Sequence, residues 1–195
     1  MHSVTRFWWV RHGPTHAKTM VGWSDIPADL SDYAAIARLS NHLPQDALIV
    51  SSDLIRAVAT ADAAQGNRER LPHDKMLREM HFGDWELRSH SEIEAKTPDL
   101  IAAFWDRPGD VRPPKGESWN DINARIWAAT DRMMDVFAGR NIVVVAHFGA
   151  ILSALQRADN LTPEQAFSHR IDPLSITEMS YDGRRWQRGR INHIA

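Results

Sequence analysis

Ile142-Val143-Val144-Val145-Ala146-His147-Phe148-Gly149 decides the fold of this chain. Four consecutive β-branched residues and an alanine have no polar alternate position, so they suit a strand covered on both faces, as in a parallel sheet between helices. His147 then stands at the carboxyl end of that strand, and Gly149 opens a helix. Upstream, Ser118 and Asp121 form a capping-box pattern, and Ile122, Ile126, Ala129, Met133, Val136 and Phe137 keep a helical stripe until Gly139 stops it.

The same grammar recurs towards the N-terminus. Phe7-Trp8-Trp9-Val10 reads as a buried first strand that stops at Gly13-Pro14, which places His12 just past its end. Ala34, Ala35, Leu39 and Leu43 give a helix from Ser31, closed by Pro44, before a second short strand at Leu48-Ile49-Val50. Asp53 is the expected N-cap of a helix carrying Ala57, Ala61 and Ala64, with Arg56 in its exposed first turn. Residues 81–117 are rich in Pro, Gly, Trp and charge, and read as an excursion over the pocket with one or two short helices between Ser89 and Trp105. Ser175–Tyr181 and Trp186–Ile194 read as a closing hairpin around Asp182-Gly183. The expected architecture is a single α/β domain over residues 1–195, without internal repeats.

Composition narrows the function. A net charge of -2 with 25% charged residues and no basic run gives no footprint for nucleic acid or an anionic membrane. A small molecule is the expected partner, and a homodimer is compatible with the sequence. The N-terminal apolar run is too brief for a signal peptide and no stretch can span a bilayer, so the expected location is cytoplasmic. The chain has 0 cysteines, which excludes thiolate catalysis and cysteine-ligated metals. His12 and His16 have the i, i+4 spacing of helical metal ligands, but Gly13-Pro14 between them breaks a helix, so neither a catalytic metal nor another cofactor is expected.

Open α/β sheets bind ligands beyond the carboxyl ends of their strands, and the residues gathered there are those that handle phosphate. Arg11 and Arg56 supply guanidinium forks that match phosphate oxygens. A neutral His12 imidazole is a competent nucleophile near pH 7, and His147, if protonated, is a third cationic donor. Glu79 can protonate a leaving alkoxide if burial or a neighbouring anion raises its pKa. Glu86 is equally open to a structural reading. Thr15 either contacts substrate or caps a helix.

The set Arg11-His12-Gly13-x-Thr15, Ser51-Ser52-Asp53-Leu54-x-Arg56-Ala57, Leu77-x-Glu79-x-x-Phe82-Gly83-x-Trp85-Glu86, Gly116-Glu117-Ser118 and Ala146-His147-x-Gly149 resembles the histidine phosphatase superfamily, also called phosphoglycerate mutase-like. Five ordered matches make that resemblance specific where one Arg-His-Gly is not. It implies a three-layer α/β/α sandwich with a mostly parallel sheet and metal-free phosphohistidine catalysis. It also implies His12 as nucleophile, Glu79 as proton donor, and Arg11, Arg56 and His147 as phosphate ligands.

Within that superfamily, Gly22-Trp23-Ser24-Asp25-Ile26-Pro27, Phe82–Glu86 and Pro113–Ser118 resemble the α-ribazole phosphatases, which implies α-ribazole 5'-phosphate as leading substrate. A phosphoglycerate mutase-like transferase, another small-phosphoester phosphatase and a silent phosphate-binding module are the alternatives. Thr15, Gly22, Trp23 and Phe148 are the candidate substrate contacts. Leu87 and Phe148 depart from the glycines common in relatives, and Phe148 is expected to narrow the pocket. Trp23, Trp85, Trp105 and Trp119 lie outside the expected strands. Ordinary packing explains them, while a flat rim for a benzimidazole-like group is the sharper reading.

Overall fold

Side chains of successive strand residues point to opposite faces, and in this chain both faces are apolar. The computed structural model describes residues 3–195 and shows the result. Strand β4 (Asn141–Ala146) sends Ile142, Val144 and Ala146 to one core and Val143 and Val145 to another. Strand β1 (Thr5–Arg11) divides likewise, Phe7 and Trp9 against Val10. The first core is closed by α5 (Trp119–Val136) and α6 (Phe148–Asp159), through residues such as Ile122, Ile126, Ile151 and Leu155. The second is closed by α1 (Tyr33–His42) and α2 (Ile55–Ala64), where Leu39, Ala57, Ala61 and Ala64 meet the sheet. Burying each large apolar side chain contributes about 1.5–3 kcal/mol, so these two layers of contact hold the sandwich.

Two further short strands, β2 (Leu48–Ser51) and β3 (Glu69–Arg70), and two C-terminal strands, β5 (Ile176–Tyr181) and β6 (Trp186–Arg188), complete a six-stranded sheet in the order β3-β2-β4-β1-β5-β6. The pairs from β3 to β1 are parallel; β5 runs antiparallel to β1 and β6 to β5. The expected α/β/α sandwich with a mostly parallel sheet is thus the observed one. No helix among the described residues is long and apolar enough to cross a membrane.

Sequence patterning located most elements. Helices α3 (His90–Glu94) and α4 (Pro98–Asp106) are the two short helices expected between Ser89 and Trp105. Ser118 and Asp121 do form a capping box. Two short elements escaped notice, β3 and α7 (Pro163–Phe167), because neither is long enough to show a period. One capping expectation fails. Asp53 does not cap α2, whose N-cap is Leu54 without a side-chain bond. Its carboxylate instead receives Nε and Nη2 of Arg78, both at 2.7 Å. A charge-assisted fork to guanidinium outcompetes a single bond to a backbone amide.

Helices α1 and α2 end on an arginine that their own sequence does not reveal. Arg68, 2% exposed, donates to the carbonyls of Ser40 (2.6 Å), Leu43 (2.6 Å), Pro44 (2.7 Å), Ala64 (3.2 Å) and Gln65 (3.0 Å). It therefore satisfies carbonyls that helix ends leave without intrahelical partners, with a positive charge at two negative dipole ends.

Candidate active site

β1 and β4 are neighbours whose chains leave in opposite directions. After β1 the chain passes to β2 on the far side of β4, and after β4 it passes to β5 on the far side of β1. That is a topological switch point, where a crevice opens beyond the strand ends. The register aligns Arg11 with Ala146, and the His12 amide donates to the Ala146 carbonyl at 3.0 Å. His12 and His147 thus emerge side by side, their ring centroids 5.1 Å apart.

Backbone geometry fixes the His12 tautomer. Nδ1 lies 2.7 Å from the Gly13 carbonyl, which can only accept, so Nδ1 carries the hydrogen and the Nε2 lone pair is free. Desolvation, reinforced by the Arg56 charge, holds the His12 pKa down at about 3, so the imidazole is neutral at neutral pH. The Gly13 amide donates to Thr60 Oγ1 at 2.9 Å, and the Thr60 hydroxyl donates to the Arg56 carbonyl at 2.7 Å. The turn after β1 is thereby tied to α2.

Three polar groups on the neighbouring residues lack partners of their own. Arg11 Nε, Arg56 Nε and His147 Nδ1 are buried and make no hydrogen bond. Arg11 is otherwise bonded through Nη1 to the Ile171 carbonyl at 2.6 Å, with its guanidinium over the Phe148 ring. Arg56 is 1% exposed, not in the exposed turn its position suggested, because Nη1 reaches the Ser24 carbonyl at 2.9 Å and Nη2 the Gly22 carbonyl at 2.6 Å. His147 Nε2 meets Ser52 Oγ at 2.6 Å. Burial first, then the charges of Arg56 and its neighbours, pushes the His147 pKa well below 6.5, so it is a neutral donor in this state and not a third cation. When Ser52 donates to Nε2, the remaining hydrogen sits on Nδ1 and is without an acceptor; the opposite tautomer would leave a lone pair there. Orphaned buried donors of this kind call for a ligand.

Glu79 completes the set. It is 7% exposed; its Oε1 accepts from the Met80 amide at 2.8 Å, and the Gly149 amide is 3.1 Å from both oxygens. Burial raises its pKa despite those amides and both arginines. Oε2 shares only the Gly149 donor, so it is the oxygen free to carry a proton. The backbone of Glu79 is also braced, its carbonyl accepting from the Trp23 indole at 2.7 Å and from Arg125 Nη2 at 3.1 Å. Arg125 additionally binds the Met76 and Arg78 carbonyls and Glu117. Sequence reasoning passed over Arg125 and Ser52, since a helix-surface arginine and a strand-end serine carry no signal without the partner.

The remaining candidates divide. Gly22 and Trp23 belong to the cradle of Arg56 and Glu79. Trp23 stacks under Arg78, 4.7 Å from ring centroid to guanidinium carbon. Thr15 is half-buried in an irregular segment where no helix begins, so it caps none. Phe148 lies beside Glu79, with Phe82, Phe104, Trp105 and Phe167, around a cavity of about 40 Å³. Trp85 and Trp119 are both core residues, 3% and 1% exposed, and Trp119 also borders this cavity. Glu86 is structural in its contacts, accepting from backbone amides of two segments.

Known proteins resemble this chain over most of its length. The family model described as "Histidine phosphatase superfamily (branch 1)" matches residues 7–194. A 2,3-bisphosphoglycerate-dependent phosphoglycerate mutase of Allorhizobium ampelinum is 30% identical over 175 residues, 82% of each chain. An adenosylcobalamin/alpha-ribazole phosphatase of Salmonella typhimurium is 27% identical over 175 residues, 86% of each. Among solved structures, Bacillus stearothermophilus YhfR superposes with a TM-score of 0.89 at 26% identity, covering 98% of both chains.

Proposed function

Because the chain belongs to the histidine phosphatase superfamily and is accordingly a phosphoric monoester hydrolase, we propose that it cleaves a small phosphomonoester through a phosphohistidine on His12, with α-ribazole 5'-phosphate as leading substrate. One observation carries the mechanism: the free Nε2 lone pair of His12 shares its crevice with three buried donors that lack partners, on Arg11, Arg56 and His147. A phosphate dianion supplies those donors with acceptors and places phosphorus beside the nucleophile.

In the first step His12 Nε2 forms a bond to phosphorus, the ester P–O bond breaks, and Glu79 passes its proton to the departing oxygen. Arg11 and Arg56 answer the charge on the equatorial oxygens. In the second step ionised Glu79 takes a proton from water as its oxygen attacks phosphorus, and the P–N electrons return to Nε2. The raised pKa of Glu79 suits the acid role, and its loss of a proton in the first step suits the base role.

One feature supports the ribazole ester: the Salmonella relative carries that specificity in its name. A cytoplasmic location, without nucleic acid or membrane partners, is part of the same reading. The second reading, a phosphoglycerate mutase-like transferase, draws on the Allorhizobium relative. The test is phosphate release from α-ribazole 5'-phosphate, 3-phosphoglycerate and a small ester panel, by the wild type and His12→Ala, in EDTA. Preference for the ribazole ester, abolished in His12→Ala, is the expected result. His12-dependent hydrolysis of a different ester discards the substrate, and phosphate release by His12→Ala discards the mechanism.

A further inference from the structure

The peptide unit joining Gly22 to Trp23 lies between two opposite charges. Its carbonyl accepts from Arg56 Nη2 at 2.6 Å, and its N–H donates to Glu86 Oε1 at 2.7 Å. A cation at the oxygen and an anion at the hydrogen both align with the peptide dipole, so each bond polarises the group and strengthens the other.

Glu86 holds more than that one amide. Its carboxylate also accepts from the amides of Gly22 (3.1 Å), Ser24 (3.2 Å) and Phe82 (3.0 Å) and from the Ser24 hydroxyl (2.6 Å). Burial opposes its ionisation, but these bonds outweigh that and keep the carboxyl below its ordinary pKa. The two carbonyls that grip Arg56, of Gly22 and Ser24, therefore belong to a segment whose amides are gathered on one carboxylate. Gly22 permits this approach, since a Cβ there would lie 2.4 Å from Glu86 Oε1 and 2.1 Å from the Met80 carbonyl.

Arg56 has no carboxylate bonded to its guanidinium; carbonyls take Nη1 and Nη2, and Nε is unpartnered. A direct ion pair would neutralise the fork and compete with a substrate anion. A countercharge one peptide unit away aims the fork and leaves it available.

We propose that Glu86 is a positioning residue for phosphate capture, its carboxylate acting through the Gly22–Trp23 peptide unit to aim the Arg56 guanidinium. The inference rests on Arg56 as a phosphate ligand, so the experiment measures binding of inorganic phosphate by calorimetry and needs no turnover. Glu86→Gln keeps the shape and removes the charge. Residues of one network are energetically coupled, and the expected result is about tenfold weaker phosphate binding. In an Arg56→Lys background, where the fork is gone, the same change should add less than twofold. Ser24→Ala, which removes one donor to Glu86, should weaken phosphate two- to threefold and carries the test if Glu86→Gln does not fold. Unchanged phosphate affinity in a folded Glu86→Gln, or in Ser24→Ala if Glu86→Gln does not fold, overturns the proposal, as does an equal loss in the Arg56→Lys background. A wild-type protein that binds no phosphate overturns the phosphate site and this inference with it.

Discussion

Gly149→Ala should damage acid catalysis selectively. A Cβ on residue 149 would lie 2.4 Å from Glu79 Oε1, where ordinary contact begins near 3.4 Å, so the carboxyl must retreat by about 1 Å. Ile122 Cδ1 is 3.5 Å away and does not interfere. Residue 149 sits in the first turn of α6 without a positive φ, and alanine favours a helix over glycine by about 1 kcal/mol, so the fold should persist. A displacement of about 1 Å costs on the order of 10² in rate, near 2.7 kcal/mol of barrier, within the range that a general acid supplies. The loss should appear only where the leaving oxygen needs a proton. Rapid-quench measurement of the phosphorylation step should therefore show a fall of about 10²-fold with an alkyl phosphate and less than about fivefold with para-nitrophenyl phosphate, whose phenolate leaves unaided. Equal losses with both esters, at an unchanged melting temperature, would refute Glu79 as the proton donor, and no loss with the alkyl ester would refute the steric argument.

Three other expectations follow from the geometry. Arg68→Met removes five donor contacts at the ends of α1 and α2, leaves the carbonyls of Ser40 and Leu43 unpartnered, and should lower unfolding stability by about 3 kcal/mol in urea, with activity per folded molecule unchanged; a loss under about 1 kcal/mol would contradict the assigned role. His12 and His147 are held neutral in the fold but titrate at an ordinary pKa when unfolded. Their contribution is thus complete above about pH 6.5 and is lost as pH falls from there towards the folded His12 value of about 3. Replacing His12 with Gln should flatten the stability–pH slope between pH 6 and 4 by about 1.4 kcal/mol per pH unit, and an unaltered slope would mean that the imidazole titrates normally. Because burial raises the Glu79 pKa, phosphorylation by an alkyl ester should decline as pH rises through that value, while Glu79→Gln should show no such limb.

The sequence was most legible where one physical cause dominates. The run Ile142–Ala146 has no reading other than a doubly covered strand, and strand-end placement of His12 and His147 followed from two such runs. Asp53 departs from its N-cap expectation because capping propensity is local while its partner Arg78 comes from another segment. The burial of Arg56, the role of Arg68 and the grip of Glu86 were invisible for the same reason: carbonyls and amides supply the partners, and every residue has those. Likewise the sequence leaves the charge of His147 open, because the desolvation that keeps it neutral belongs to the assembled pocket and not to any neighbour in sequence.

The two neutral imidazoles give the pocket a definite charge balance. With Glu79 protonated, Arg11 and Arg56 are its fixed cations, and a phosphomonoester dianion cancels both. A phosphodiester, carrying one negative charge, would leave one guanidinium unanswered in a dehydrated site, where an unbalanced ion is expensive. Selection for a terminal phosphate over a bridging one is then arithmetic in charge as much as a matter of shape. Inorganic phosphate satisfies the same balance as the ester it came from, so the proposed site should also be inhibited by its product.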